Sequence, residues 1–392
     1  MVPICVTLVA IALAIKYTFA KLFPNAPIKE EACSAPIFIK NPHGAKALLA
    51  NSTLESCAKP NQRLVLAFGI KNAFTTTDPT IHRNFVNRAK QLIRTQEHEW
   101  KSLGETAVNS ASRIAGTVQA SGLTSLETSV QLLVFQIVMG KFFPYIQPVP
   151  SDVDIEYIAT TINDLWVASK NPSSGQLLKS QKAAFLQRLE TILDCDIESD
   201  NPLNIILPAY ETLWRVVLRC FLEIRFRSFH NDRCAWTKLF SEFLSNPTQA
   251  NFEVRPDDQV SIKDITLEAL RLYPPTRRIY RQQDDPSTLF AVDIEFMHRD
   301  PTVWGLDADT FAPSRIQHMD KQAFMPFGKG SFACPAENVF GPMMIGILVG
   351  ALVTQLDDSC KLVDAKGAEV DLGAGPLDNG REAYGPLRLD RK

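Results

Sequence analysis

A chain of 392 residues with 45% hydrophobic content can bury a large core, as one domain or as two. Lys plus Arg total 41 against 43 for Asp plus Glu, so no basic excess marks a nucleic-acid binder. The 8 cysteines show no CxxC and no even spacing that would suggest a disulfide framework or a zinc site, so reduced thiols are the simpler account.

The first twenty residues, MVPICVTLVAIALAIKYTFA, are apolar apart from Lys16, and Lys21 follows. That length suits a spanning helix whose end lysines snorkel, and neither a basic leading region nor a good cleavage site is present. Residues 1–21 are therefore expected to form an uncleaved membrane anchor, with residues 22–392 as a single domain on the cytosolic side. The sequon at Asn51 would then go unused.

Residues 28–80 mix short apolar runs with turn residues and show no clear period. Farther on, apolar periodicity predicts helices near 85–103, 126–143, 155–168, 177–193 and 204–224. Strand-like material is confined to 278–282 and 290–297. The expectation is a mainly α protein with small β-sheets.

Four motifs stand in order along this frame. In Leu207-Pro-Ala-Tyr-Glu-Thr-Leu-Trp214, Pro208 inside a helix removes a hydrogen bond and opens the ladder beside Thr212. Glu268 and Arg271 share one face of a helix that Pro274 and Pro275 stop. A third segment runs from His298 to Phe311-Ala-Pro-Ser-Arg315. The fourth is FMPFGKGSFACPA, residues 324–336, where Gly328 and Gly330 let backbone approach a flat ligand without a Cβ in the way. Pro335 suits a first helical position and 338–356 reads as a buried helix, which would set Cys334 at the positive end of a helix that favours a thiolate. A thiolate fixed so is a candidate axial ligand for haem iron. The other seven cysteines read as small buried hydrophobes.

The fourth motif resembles the cysteine-ligand signature of the cytochrome P450 superfamily, with Phe327, Gly330, Cys334 and Ala336 at matching positions. Phe332 stands where the family usually carries a cation for a haem propionate. The Glu268/Arg271 helix, with its Leu-Arg-Leu-Tyr-Pro-Pro continuation, resembles the family's Glu-x-x-Arg helix, and the Phe-x-Pro-x-Arg ending implies that Arg315 joins these two in a structural triad. Likeness of the Pro208 segment to the family's oxygen-activation pattern implies Glu211 and Thr212 as catalytic proton carriers. The family's Trp-x-x-x-Arg pair is missing, so His82 and Arg83 are its substitutes as propionate contacts. Arg281, whose planar fork suits a carboxylate, is the family-like arginine on the strand after the second motif.

This resemblance spans roughly residues 70–356. It implies a cytochrome P450 fold with a shortened N-terminal part, and haem b bound through Cys334 with Phe327 and Gly330 shaping the loop. The activity implied is a haem-thiolate monooxygenase acting on a lipophilic small organic molecule with dioxygen and electrons from NADPH-cytochrome P450 reductase, with cytochrome b5 as a second donor. The implied location is the endoplasmic reticulum membrane, the catalytic domain facing the cytosol. The short chain resembles fungal members linked to secondary metabolism. A haem-thiolate isomerase or dehydratase, and a degenerate non-catalytic haem-binding protein, are the alternatives.

Overall fold

The computed structural model describes residues 35–171, 175–227, 232–256, 259–283, 288–319 and 322–391. The expected anchor, residues 1–21, lies outside them. Among the described residues no helix is long and apolar enough to cross a membrane.

The stretch without a sequence period begins with β1 (Ile37–Ile39) and three short helices, α1 (Pro42–Ala50), α2 (Leu54–Ala58) and α3 (Gln62–Phe68). Caps set these starts: Asn41 accepts from the Gly44 N–H, and Thr53 and Ser56 close a capping box. Next, the single helix expected over 85–103 is two helices, α4 (Pro79–Leu92) and α5 (Glu97–Ser121). Asp78 caps the first, and Glu99 accepts from the Gln96 N–H at 2.7 Å to start the second. After β2 (Leu123–Ser125), helices α6 (Leu126–Phe142), α7 (Asp152–Ala168), α8 (Gly175–Leu193) and α9 (Leu203–Phe226) fall within a turn of the expected bounds.

The C-terminal half holds α10 (Arg233–Ser245), α11 (Gln249–Glu253), α12 (Ile262–Leu272), β3 (Arg278–Gln282) and β4 (Leu289–Asp293). The strand expected over 290–297 ends early, because the Asp293 carboxylate accepts from the Phe296 N–H and starts α13 (Ile294–His298). Then come α14 (Pro301–Trp304), α15 (Phe340–Gln355), β5 (Cys360–Val363) and β6 (Arg388–Arg391). One sheet has the order β1-β4-β3, with β1 parallel and β3 antiparallel to β4; the other, β2-β6-β5, is antiparallel. The architecture is mainly α with two small sheets.

The apolar α15 is buried along most of its length. Gly346 and Gly350 permit its close packing, since a Cβ on either would come within 2.9 Å of Ile262 on α12 or Phe240 on α10. The helix starts later than expected. Residues 335–339 form turns, and the Gly341 N–H bonds the Ala336 carbonyl five residues back, so Pro335 is not a first helical residue. Cys334 therefore stands a full turn or more ahead of α15, away from its positive end.

Candidate functional site

The loop before Cys334 needs its glycines. Gly328 and Gly330 have φ of 72° and 77°, and a Cβ on Gly330 would sit 2.8 Å from the Leu49 carbonyl oxygen of α1. The Cys334 N–H donates to the Phe327 carbonyl at 2.9 Å and closes the loop. Its thiol is unpaired and touches solvent, yet the protein around the sulfur pushes the thiol above its ordinary value. That is opposite to the expected helix-end effect. Metal coordination, which deprotonates a thiol outright, would set the thiolate here.

Behind the loop, Glu268, Arg271 and Arg315 come together. The Arg271 guanidinium donates to Glu268 through Nε at 2.7 Å and Nη2 at 2.8 Å, and both side chains are fully buried. Arg315 Nε lies 3.6 Å from the same carboxylate, which also accepts from the Ala312 N–H at 2.9 Å. Arg271 further donates to the His298 and Ala308 carbonyls at 2.6 and 2.7 Å. His298 extends the link to the loop, because its Nε2 accepts from the Met325 N–H at 3.0 Å.

On α9, Pro208 lies inside the helix and the Thr212 hydroxyl donates to the Pro208 carbonyl at 2.9 Å. Glu211 is buried and pairs with Arg381 at 2.6 Å. Arg381 escaped the sequence reading. It lies far along the chain in a turn-rich segment, and no local pattern ties it to Glu211.

The three expected propionate contacts fare differently. Phe332 gathers two of them: the His82 ring meets it edge-on at 5.3 Å, and the Arg281 guanidinium lies 5.4 Å from its ring centre. Arg83 is exposed on α4. Arg281 is only 6% exposed and donates to the Ser52 hydroxyl and the Tyr280 carbonyl, both at 2.8 Å. No carboxylate pairs with it among the described residues. A buried guanidinium lacking an acid, against Phe332 on the glycine loop that carries a free thiol, fits a cofactor that brings carboxylates and a metal. Helix α4, which packs only the half-buried Phe85 and Leu92 against the core, carries His82 to the same region.

No protein-family model matches the chain. A rice (Oryza sativa subsp. japonica) protein, cytochrome P450 714C2, is 26% identical over 163 residues, covering 37% of this chain and 30% of the relative. Cytochrome P450 714A2 of Arabidopsis thaliana is 32% identical over 114 residues, 24% of this chain and 22% of the relative. The bifunctional cytochrome P450/NADPH–P450 reductase 1 of Bacillus subtilis (strain 168) is 38% identical over 87 residues, 19% of this chain and 8% of the relative. The chain thus spans less than a third of the length of these three curated relatives. Likeness of fold is far more extensive. The crystal structure of CYP175A1 from Thermus thermophilus superposes with a TM-score of 0.64 at 16% identity, covering 97% of this chain and 95% of that one. CYP154A1 from Streptomyces coelicolor A3(2) gives 0.61 at 15% identity, with 90% and 91% covered.

The described fold is that of cytochrome P450 crystal structures, with one loop cysteine ahead of a buried helix and over a Glu-Arg-Arg cluster, and the curated proteins that match parts of the sequence are cytochrome P450s.

Proposed function

We propose that the chain is a monooxygenase that inserts one atom of dioxygen into a small organic molecule, with haem b held by Cys334 and electrons supplied by a reductase. The observation that carries this reading is the Cys334 loop, closed on Phe327 and anchored through His298 to the buried Glu268/Arg271 pair. When bound, haem supplies the oxygen-activating chemistry, which a thiolate ligand favours.

The chain's own residues do the rest. Loop hydrogen bonding fixes the sulfur, and Pro335, without an N–H, donates nothing to it. Thr212, tied to the Pro208 carbonyl, keeps its oxygen lone pairs free to accept from water. Glu211 next to it can pass protons inward, while Arg381 holds its carboxylate in place. A buried acid next to a hydroxyl on a helix with an internal proline favours a reaction that consumes protons, and so a monooxygenase over an isomerase. Anchoring by residues 1–21 in the endoplasmic reticulum with the domain facing the cytosol, NADPH-cytochrome P450 reductase and cytochrome b5 as donors, and a lipophilic substrate of secondary metabolism belong to the same reading. The apolar first twenty residues support the membrane part, and the fused reductase named in the Bacillus relative supports the donor.

The deciding measurement is the difference spectrum of the reduced carbon monoxide complex. The haem-loaded protein is expected to show the thiolate-type Soret band, and Cys334→Ser to lose it while keeping its melting temperature. A haem-loaded parent protein without that band would end the proposal.

Phe332→Leu probes the expected propionate contacts. It removes the ring that the Arg281 guanidinium faces and the His82 ring meets edge-on, a cation–π contact worth about 1 kcal/mol for Arg281. Haem transfer to apomyoglobin is expected to run about fivefold faster, following the conversion of roughly 1.4 kcal/mol per factor of ten. An unchanged transfer rate would show that Arg281 holds its place without the ring.

A further inference from the structure

Five cations converge on the part of α9 that carries Glu211. Arg63 of α3 and Arg381 of the C-terminal segment lie over one indole, that of Trp166 on α7, with guanidinium carbons 5.0 and 4.8 Å from its ring centre. Arg63 also donates to the Ser169 hydroxyl at 2.7 Å, next to Lys170. Arg215 on α9 donates to the Pro275 and Asn379 carbonyls at 3.1 and 2.9 Å, and its buried Nε has no partner. Arg277, just before β3, closes the group.

The acids present do not balance these charges. Glu211 takes Arg381 at 2.6 Å and Glu295 takes Arg277 at 3.0 Å. Glu127 faces Arg219 and Arg381. Among the described residues no carboxylate pairs with Arg63, Lys170 or Arg215. The cost is visible in their proton affinities. Burial, with repulsion from Arg219 and Arg381, lowers Arg215 to about 9, and burial with neighbouring cations lowers Arg63 and Lys170. Like charges partly removed from water, with too few anions, are relieved by an anion that enters among them.

Arg381 is met by the Glu211 carboxylate, whereas Arg63 has only the Ser169 hydroxyl and the Trp166 ring, and the buried Arg215 Nε–H has no acceptor. Arg381, over Trp166 and paired with Glu211, sets the cluster against the segment of α9 that also carries Thr212.

We propose that this cluster receives the anionic group of the substrate, so that the substrate is an apolar carboxylic acid held by Arg63, Lys170 and the Arg215 Nε–H. The proposal rests on the oxygenase reading only in calling the bound acid a substrate.

Isothermal titration calorimetry on the haem-loaded full chain tests it. The probes are octanoate, dodecanoate, hexadecanoate and phenylbutyrate, each beside its own methyl ester. At least one acid is expected to bind about tenfold more tightly than its ester, and Arg63→Gln to remove that difference while leaving ester binding unchanged. Lys170→Gln, at an exposed position where folding is not in question, is expected to weaken the same acid severalfold. Acids binding no better than their esters, no acid binding at all, or Arg63→Gln weakening acid and ester alike would each overturn the proposal. Loss of the carbon monoxide band with the acid preference intact would instead sink the oxygenase reading alone.

Discussion

Glu268→Ala is expected to yield a chain that no longer incorporates haem and unfolds at markedly lower denaturant. The Glu268 carboxylate is the common acceptor for Arg271, for Arg315 and for the Ala312 N–H, and it is fully buried. Alanine would leave the Arg271 guanidinium in the core, still bonded to the His298 and Ala308 carbonyls and still 5.0 Å from the Trp304 ring centre, but without an anion. Breaking a buried pair from one side costs about 3 to 5 kcal/mol, against a total stability on the order of 5 to 15. Arg271 also ties the end of α12 to residues 298–310, which lead into the Cys334 loop, so the loss falls on the part of the fold that presents the sulfur. Denaturant unfolding followed together with the Soret absorbance measures both effects. A soluble, fully haem-loaded Glu268→Ala protein with the parent midpoint would show that Arg271 is held by carbonyls and Trp304 alone.

What could be read from the sequence depends on how locally each feature is encoded. Long helices such as α6 and α9 announce themselves through many apolar positions, and the four motifs through residue types whose chemistry is restrictive: a proline within a helix, an acid and an arginine three apart, glycines before a cysteine. The helices between residues 42 and 68 could not be read this way, because caps at Asn41 and Thr53 and contacts with distant elements decide them. The start of α15 was misjudged at Pro335, since the wide turn closed by Gly341 on Ala336 has no sequence signal. Long-range partnerships were invisible altogether. Glu211 and Arg381, or Arg63 and Trp166, meet only when the chain has folded, and nothing near any of them in sequence names the other. Phe332 looked like a lost charge from the motif alone; in the fold it is the ring that the Arg281 guanidinium and the His82 imidazole share.

His298 should make the protein sensitive to acid. The imidazole is fully buried and stacks on Phe324 at 5.4 Å, and its Nε2 accepts from the Met325 N–H at 3.0 Å while the Arg271 carbonyl lies 3.0 Å from Nδ1. This arrangement needs the neutral ring with its proton on Nδ1. Burial, aided by the charges of Arg271 and Arg299, lowers its pKa to about 3, whereas an unfolded histidine titrates near 6.5. Above about pH 6.5 both states are neutral and the full stability is present; below it the unfolded chain takes up a proton that the folded chain refuses. Stability from this group is therefore lost as pH falls from about 6.5 toward 3, at roughly 1.4 kcal/mol per pH unit. Unfolding free energies between pH 8 and pH 4.5 should show the parent falling more steeply than His298→Gln by close to one proton. Because Met325 stands at the head of the loop that carries Cys334, acid release of haem is expected to follow the same slope. Parallel stability curves for parent and variant would mean that His298 takes up its proton in the folded state, and that the tie from α12 to the cysteine loop survives its charging.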